Sequence, residues 1–287
     1  MSAALVVVGT PIGNDEDWTP RALRELAEAD VVAAEDTRVA RGRLARVGVT
    51  AKRLLSLHDH NERQRLAQVL GLVRAGQRVA LVSDAGMPLV SDPGYRVVRA
   101  ALAEGLEVDV VPGPTAMTSA LVLSGLPSDR FSFVGFPPRS AGRRLRWLAA
   151  RASDTATWIM YESPHRLVAT LGDLDTALGS RACAVVFSLT KPWQRVRRGT
   201  PAELLAHFAG DPEDVKGELT LLVAGAPEED VELDERATRL IAALVGRGVS
   251  PSTVRDAVAS ALDLPRRAVY QYALASAESS DERTDNQ

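Results

Sequence analysis

Residues 79–94 have the sequence VALVSDAGMPLVSDPG, and this stretch decides the fold. Its first four residues are apolar and predict a short buried strand. The loop 83–94 then combines two aspartates, two glycines and two prolines, and a helical pattern follows at 93–104. Such a loop presents backbone groups and carboxylates while it resists regular structure. Strand, loop and helix in this order are the repeating unit of a parallel α/β sheet. Two aspartate-capped turns are the alternative interpretation of the loop.

The same unit recurs through the first half of the chain. Short apolar strands alternate with helical patterns, which indicates a mostly parallel sheet covered on both faces. We expect this first domain at 1–125. Its predicted strands are 5–8, 31–34, 53–57, 79–82 and 108–111, and its predicted helices are 19–29, 37–47, 62–75, 93–104 and 115–124.

The pattern changes after residues 125–128, GLPS, which have the composition of a linker. A second α/β domain with a mixed sheet is predicted at 126–228, so the fold class is α/β with two domains. A small helical appendage is predicted at 229–276 and is either a plain cap or a helix-turn-helix. The polar tail 277–287 is predicted to be disordered. The strands are predicted at 131–136, 157–161, 182–189, 194–197 and 219–224, and the helices at 143–151, 165–177, 201–209, 230–247, 250–262 and 266–275.

The single cysteine, Cys183, lies in an apolar run, so we expect a buried thiol. One cysteine excludes a disulfide framework and a multi-cysteine zinc site within this sequence. The N-terminal apolar stretch lacks the basic flank of a signal peptide, and no apolar run approaches the roughly 18 residues of a membrane span. A cytoplasmic location is the expectation.

The net charge of −3 argues against nucleic acid, but the charges are unevenly distributed. Residues 130–151 contain six arginines and no acidic residue, and residues 191–198 contain four more cations and no acidic residue. A local basic surface binds phosphate even on an acidic protein. Solvated arginine side chains are an equally good interpretation of the charge alone.

Three loops follow predicted strands of the first domain, at 9–14, 83–94 and 112–116. The carboxyl ends of parallel strands lie at one edge of a sheet, where open α/β folds bind ligands. The first loop lacks the G-x-G-x-x-G pattern, and Pro11 removes an amide donor from it. A ligand cleft is therefore expected at this edge, but not a pyrophosphate cradle.

Nine short motifs follow one another along the chain. They are GTPIGN (9–14), AAEDTR (33–38), HDHN (58–61), LVSDAGMPLVSDPG (81–94), PGPTA (112–116), GLPSDRFSFVGF (125–136), YESPHR (161–166), LTK (189–191) and KGE (216–218). Their order resembles the tetrapyrrole-methylase superfamily and, within it, the branch that methylates ribosomal RNA of the small subunit. The first loop lacks the G-x-G-P-G-D-like pattern of members that act on tetrapyrroles, which favours the RNA branch. That branch commonly has Arg-Glu before Leu-Thr-Lys, whereas this chain has Phe187-Ser188.

The resemblance implies a class III methyltransferase whose two α/β domains hold S-adenosylmethionine, bent, in the cleft between them. It implies 2′-O-methylation of a cytidine in the decoding centre of 16S rRNA, within the 30S subunit, by a homodimer. The motif match places the cofactor contacts at Thr10, Pro11, Asp84, Ala85, Gly86, Val90, Ser91, Thr115, Ala116, Tyr161, Leu189, Leu219 and Thr220.

Three residues are candidates for the catalytic step. A ribose hydroxyl is weakly acidic, so a base or a nearby cation must help it to lose its proton. Lys191 follows a predicted strand and begins a basic segment, although a phosphate contact explains it nearly as well. Asp92 either caps a helix or positions the target ribose. Glu162 either caps a helix or acts at the substrate side.

Eight residues are candidates for RNA contacts, and Trp147 is a candidate for stacking on a base. Two of the eight, His58 and His60, flank an aspartate, but no fourth ligand is evident and no metal is expected. The RNA candidates are Arg38, His58, His60, Asn61, Arg139, Arg143, Arg144 and Arg166.

Two other functions are compatible with the residues. A methyltransferase acting on a tetrapyrrole or another small molecule would use the same cofactor and differ in substrate. A non-catalytic RNA-binding or assembly factor would keep the fold without needing the cofactor.

Overall fold

A computed structural model of the chain describes residues 5–227 and 233–284. The chain forms two compact units that divide between Ala226 and Pro227. The strands of the first unit form two five-stranded sheets, and the second unit is helical. Among the described residues, no helix is both long enough and apolar enough to cross a membrane.

The strands and helices follow in chain order. The strands are β1 Leu5–Val8, β2 Val31–Ala34, β3 Leu54–Ser56, β4 Val79–Val82, β5 Val108–Val111, β6 Phe131–Phe133, β7 Thr157–Glu162, β8 Cys183–Phe187, β9 Arg195–Gly199 and β10 Leu219–Val223. The helices are α1 Pro20–Glu28, α2 Thr37–Arg46, α3 Glu62–Arg74, α4 Tyr95–Ala103, α5 Ala116–Ser124, α6 Ala141–Ala149, α7 Pro164–Leu178, α8 Pro201–Gly210, α9 Glu235–Val245, α10 Pro251–Leu262 and α11 Arg266–Thr284.

The first sheet is parallel throughout and has the strand order β3-β2-β4-β1-β5. The three central strands are buried along their whole length, because helices cover both faces. Successive side chains of a strand point to opposite faces, so Leu5 and Val7 pack in one apolar cluster and Val6 and Val8 in another. The predicted α/β fold class is confirmed here.

The second sheet is mixed and has the order β6-β7-β10-β8-β9. Strands β6 and β7 are parallel, whereas β10 runs antiparallel to both of its neighbours, β7 and β8. The ends of β6, β7 and β8 therefore lie at the same edge of the sheet as the start of β10. Cys183 is 1% exposed in β8, as expected for a structural thiol, and burial raises its pKa to about 12.

Helix α5 joins the two sheets of the first unit. Its buried residues Ala120 and Leu121 belong to the same apolar cluster as Ile159, Val186 and Leu222 of the second sheet. Helix α5 also follows β5 of the first sheet directly, through the loop at 112–115. The two sheet edges that carry the candidate loops are thereby held against each other.

The second unit contains α9, α10 and α11, which share a small core that includes Ile241, Val254 and Val269. The turn between α10 and α11 has Asp263 in the left-handed region, with φ of 51°. Helix α11 continues to Thr284, whereas the composition predicts a disordered tail from residue 277. The predicted helix 230–247 begins only at Glu235, and residues 230–232 lie outside the described part of the chain.

Candidate active site between the two sheets

The loops that follow β1, β4 and β5 meet at the carboxyl edge of the first sheet. Thr10 and Gly86 exchange two backbone hydrogen bonds, of 2.9 and 3.1 Å, which join the first loop to the second. A Cβ atom on Gly9 would lie 2.7 Å from the Gly113 Cα atom in the third loop. Because no side chain fits at that contact, glycine is required for the loops to come together.

A cavity of about 630 Å³ lies between this edge and the facing edge of the second sheet. Its volume is within the range of roughly 300–1,000 Å³ found for small-molecule sites. Its acidic lining residues are Asp92, Glu162 and Glu218, and among the described residues no lysine or arginine lines it. The full lining is Ile12, Ala85, Gly86, Met87, Val90, Ser91, Asp92, Thr115, Ala116, Phe136, Tyr161, Glu162, Ser163, Pro164, Val186, Leu189, Gly217, Glu218, Leu219 and Thr220.

Most of the predicted cofactor contacts line this cavity, and three do not. The Thr10 hydroxyl is buried against carbonyl groups of the second loop. The Pro11 carbonyl accepts a hydrogen bond of 2.8 Å from Arg43, and the Asp84 carboxylate accepts one of 3.1 Å from the Asp36 amide. These three residues stabilise the loops through contacts outside the cavity lining. Those that line the cavity are Ala85, Gly86, Val90, Ser91, Thr115, Ala116, Tyr161, Leu189, Leu219 and Thr220.

Unusual backbone conformations concentrate around the cavity. Five non-glycine residues in the described part of the chain have positive φ, and four of them lie in loops that border it. Leu89 and Ser91 have φ of 73° and 65° in the second loop, and Ser188 and Thr190 have φ of 49° and 62° after β8. Each such residue costs on the order of 1–3 kcal/mol and persists where surrounding packing enforces it, which is typical of ligand sites.

Asp92 combines a position in the cavity wall with an abnormal acidity. Burial raises its pKa to about 6, a hydrogen bond from Ser83 opposes the rise, and the carboxylates of Glu35, Asp84 and Asp59 add to it. The pKa of Glu35 is also raised, by burial first and then by Asp84. The ends of β2, β3 and β4 thus gather carboxylates whose mutual repulsion favours a protonated Asp92.

The loop carrying Asp92 is held by Glu62, which the sequence analysis did not single out. Glu62 is 5% exposed, and its carboxylate accepts hydrogen bonds from the amides of Gly94 and Arg96, of 3.1 and 2.9 Å. These amides belong to the exposed donors at the start of α4, so Glu62 acts as a cap from another helix. Pro93 and Gly94 therefore stay in the loop, and α4 begins at Tyr95 rather than at residue 93. The signal available in the sequence was the position of this glutamate, directly after the HDHN motif.

Tyr161, in β7 of the second sheet, lines the cavity. Its ring makes edge contacts with Phe133 and Phe136, at centroid distances of 4.8 and 5.8 Å. Burial raises the pKa of its hydroxyl, the Asp92 carboxylate raises it further, and a hydrogen bond from the Met117 amide opposes both effects. Tyr161 thus connects the second sheet to the first turn of α5.

Lys191 lies at the rim of the cavity. Its ammonium donates a hydrogen bond of 2.9 Å to Glu218, which lines the cavity. A Cβ atom on Gly13 would lie 2.5 Å from the Leu189 carbonyl oxygen and 2.8 Å from the Lys191 Cγ atom. The first loop therefore packs directly on the segment that carries Lys191.

Two predicted site residues, Glu162 and Arg166, form an ion pair with each other. The Glu162 side chain has no exposed surface, and its carboxylate accepts hydrogen bonds of 2.7 Å from the Ser163 amide and the Thr170 hydroxyl. Arg166 lies 3.2 Å from that carboxylate and donates a hydrogen bond of 2.7 Å to the Pro137 carbonyl. Both side chains have partners inside the protein, and Glu162 also lines the cavity. The catalytic assignment of Glu162 and the RNA assignment of Arg166 stay predictions.

Burial of Arg144 conflicts with its predicted RNA contact, whereas the stacking role of Trp147 stays a prediction. Arg144 is 4% exposed and forms an ion pair of 2.6 Å with Asp173, so it has no surface with which to bind a phosphate. The Arg151 guanidinium lies 4.2 Å above the Trp147 ring, which therefore has one face covered. The one-dimensional count of arginines could not distinguish an internal arginine from a solvated one.

The other RNA candidates are on the surface or next to it. Arg38, His60, Arg139 and Arg143 are exposed. Asn61 instead stabilises its own turn, since its side chain accepts a hydrogen bond of 2.9 Å from the His58 amide. The half-buried His58 ring lies 6.0 Å from that of His60. Within the described residues, no group of His, Cys, Asp and Glu has the geometry of a metal site. Phe187 and Ser188 are both buried. They occupy the positions at which the RNA-methylating branch commonly has Arg-Glu, so in this chain two buried side chains stand in place of that charged pair.

Comparison with known proteins agrees with this geometry. The family model for Tetrapyrrole (Corrin/Porphyrin) Methylases matches residues 4–205. Ribosomal RNA small subunit methyltransferase I of Micromonospora olivasterospora is 45% identical over 94% of this chain and 86% of its own length. The protein of the same name from Escherichia coli O157:H7 is 42% identical over 94% of both chains. The chain belongs to the ribosomal RNA small subunit methyltransferase I family.

Several solved methyltransferases and a synthase share this fold. The methyltransferase CobJ has a TM-score of 0.59 at 22% identity, with 78% of this chain and 95% of that chain covered. Diphthine synthase has a TM-score of 0.60 at 16% identity, with 77% and 90% covered. A complex of uroporphyrin-III C-methyltransferase from Thermus thermophilus with S-adenyl homocysteine has a TM-score of 0.52 at 22% identity, with 78% and 97% covered. At these identities the likeness concerns the fold.

Proposed function

We propose that the protein transfers a methyl group from S-adenosylmethionine to the ribose 2′-hydroxyl of a cytidine in the decoding centre of 16S rRNA. The observation that carries this proposal is a cavity large enough for a nucleoside cofactor, with the carboxyl group of Asp92 in its wall. Burial raises the pKa of Asp92 to about 6, which supports its use as a base. The relatives named Ribosomal RNA small subunit methyltransferase I supply the substrate class.

The cavity fits S-adenosylmethionine in both size and charge. The cofactor carries a positive sulfonium and an ammonium, and the cavity has Asp92 and Glu218 in its lining but no cationic side chain among the described residues. Ile12, Leu189 and Leu219 offer apolar surface for the nucleoside. The hydroxyl groups of Thr115, Tyr161 and Thr220 can hold its polar groups.

The chemistry needed from the protein is alignment and removal of one proton. S-adenosylmethionine supplies a methyl carbon that is open to nucleophilic attack. Asp92 takes the proton of the ribose hydroxyl, because a base is most effective when its pKa lies near the working pH. Glu62 fixes the backbone of the loop that carries Asp92. Lys191 is engaged as a cation by Glu218, so it contributes charge at the rim rather than acting as the base.

RNA binding is assigned to exposed cations that lack a buried role. Arg139 and Arg143 lie in the segment that contains no acidic residue, and Arg38 and His60 lie beyond strands β2 and β3. Phosphate contacts by such groups position a nucleic acid without reading its sequence. We place the enzyme in the cytoplasm, acting on the 30S subunit as a homodimer. Exposed apolar residues on the first unit, such as Val122 at 82% exposure, suit a subunit interface.

The test is transfer of a labelled methyl group to 30S subunits from a strain that lacks this modification, followed by mapping of the modified ribose. Label in one 2′-O-methylcytidine of 16S rRNA is the expected result. Label in a porphyrinogen, with none in 30S subunits, would instead identify a small-molecule methyltransferase. Absence of S-adenosylmethionine binding in calorimetry would indicate a non-catalytic RNA-binding factor.

Variants of Asp92, in the cavity wall, and of Lys191, at its rim, separate the roles of these two residues. We expect Asp92→Asn to abolish turnover while it leaves RNA binding intact. Lys191→Ala should raise the KM for 30S subunits more than it lowers kcat. Near-normal turnover by Asp92→Asn at neutral pH would contradict the assignment of the base.

A further inference from the structure

Trp193 is the most exposed tryptophan in the described part of the chain, with 63% of its surface accessible. It lies in the segment 188–194 that connects β8 to β9. The Gln194 amide donates a hydrogen bond of 2.9 Å to the Lys191 carbonyl, which closes a four-residue turn with Pro192 and Trp193 at its centre. Proline at the second position of a turn fixes its φ. The indole is therefore held out from the protein by a rigid turn.

The same turn borders the cavity mouth. Leu189 lines the cavity, and Lys191 is bonded to Glu218 of the lining. On the other side of the mouth stands Phe136, which lines the cavity and is 55% exposed. It follows β6, and Trp193 follows β8. These strands are three steps apart in the sheet, or about 14 Å at the ~4.8 Å spacing of neighbouring strands.

We infer that Trp193 and Phe136 are stacking platforms for unpaired RNA bases on the two sides of the target nucleotide. This inference rests on the proposed function. The chemistry around Trp193 favours RNA over a protein surface. Lys191 and Gln194 at the two ends of the turn are cationic and polar, and the segment 183–199 itself contains no acidic residue, although Glu218 pairs with Lys191. Aromatic rings beside cations bind single strands, since every base has a face that stacks and a phosphate that pairs.

The first experiment uses tryptophan fluorescence of the full chain. Trp18 and Trp158 are buried, and Trp147 lies against Arg151, so acrylamide in the free protein should reach mainly Trp193. Single-stranded oligocytidylate should quench the fluorescence of Trp193 and protect the remaining Trp193 fluorescence from acrylamide. An RNA duplex of equal length should have neither effect. The Trp193→Phe variant, which lacks the signal, identifies its source. Shielding of Trp193 in the free protein at assay concentration would show that another copy covers it, and would overturn the inference.

The second experiment measures methylation of 30S subunits. Loss of a stacked base should raise the KM of Trp193→Ala about 5- to 150-fold, with a smaller change in kcat. Trp193→Phe should restore most of the affinity, and affinity for S-adenosylmethionine should not change. Phe136→Ala should also raise the KM. Its matched control is Phe131→Ala, since Phe131 is 44% exposed at the start of β6, the strand that Phe136 follows.

The outcomes separate the two proposals. If Trp193→Ala methylates 30S subunits with the KM of the wild type, the stacking inference is wrong and the proposed function stands. If the wild type methylates no RNA, the proposed function fails, and the oligocytidylate titration still decides whether Trp193 binds an unpaired base. Circular dichroism of each variant excludes loss of folding as the cause.

Discussion

Replacement of Asp92 by asparagine should make the protein more stable and less active at the same time. The raised pKa means that the native protein disfavours the ionised carboxylate, so above neutral pH Asp92 destabilises the fold relative to a neutral group. Asparagine has nearly the same shape and no charge. The gain in stability should therefore accompany the loss of the base.

The magnitude follows from the pKa. A rise from 3.8 to about 6 sets an upper limit of about 3 kcal/mol, since each pKa unit is worth about 1.4 kcal/mol. Asp92 is only partly buried, so solvent screening reduces the expected gain to about 1–2 kcal/mol. Because the pKa of Asp92 is raised in the folded protein, the contribution of Asp92 to stability is fully present below pH 3.8. This contribution is lost as the pH rises through about 6. The advantage of Asp92→Asn should thus be largest at pH 8 and vanish near pH 4.

The assay is urea unfolding of the wild type and of Asp92→Asn at pH 4, 6 and 8, alongside the pH dependence of kcat/KM. The wild-type rate should rise through about pH 6 and then level off, while the variant stays inactive. Asp15→Asn is a control of opposite sign, because a hydrogen bond from Arg46 lowers the pKa of Asp15. A variant that is no more stable than the wild type at pH 8, or that keeps its turnover, would refute the argument.

Three other changes test the architecture. Gly13→Ala should weaken S-adenosylmethionine binding, because its Cβ atom would lie 2.5 Å from the Leu189 carbonyl oxygen, whereas Gly42→Ala, with nothing within 4 Å, should leave calorimetric affinity unchanged. Arg144→Ala should lower the free energy of unfolding by about 3–5 kcal/mol, because it breaks a buried ion pair. Arg143 is exposed, so Arg143→Ala should only weaken RNA binding and reduce the salt dependence of that binding. Equal effects of the two variants on unfolding and on RNA binding would contradict this division. Cys183, 1% exposed, should react with a thiol reagent only at the rate of unfolding, and rapid modification of the native protein would show that β8 opens.

Loops are where sequence and structure agree best, because their composition is local chemistry. The glycines and prolines of 83–94 dictate an irregular segment after β4, and ten of the predicted cofactor contacts line the cavity. Glu62 was missed because its two partners, Gly94 and Arg96, are more than thirty residues away. The pairing of Glu162 with Arg166 was not predicted, because the sequence alone does not show whether a charged side chain is buried.

The sequence alone determined the alternation of strands and helices, the parallel first sheet and the loops at its edge, since these follow from hydrophobic periodicity and turn chemistry within a few residues. Only the tertiary structure decided which charges face solvent and which are paired inside, and which carboxyl group acquires a pKa suited to a base. Those properties depend on desolvation and on charges brought together from β2, β3 and β4, and no local stretch of sequence encodes such distances.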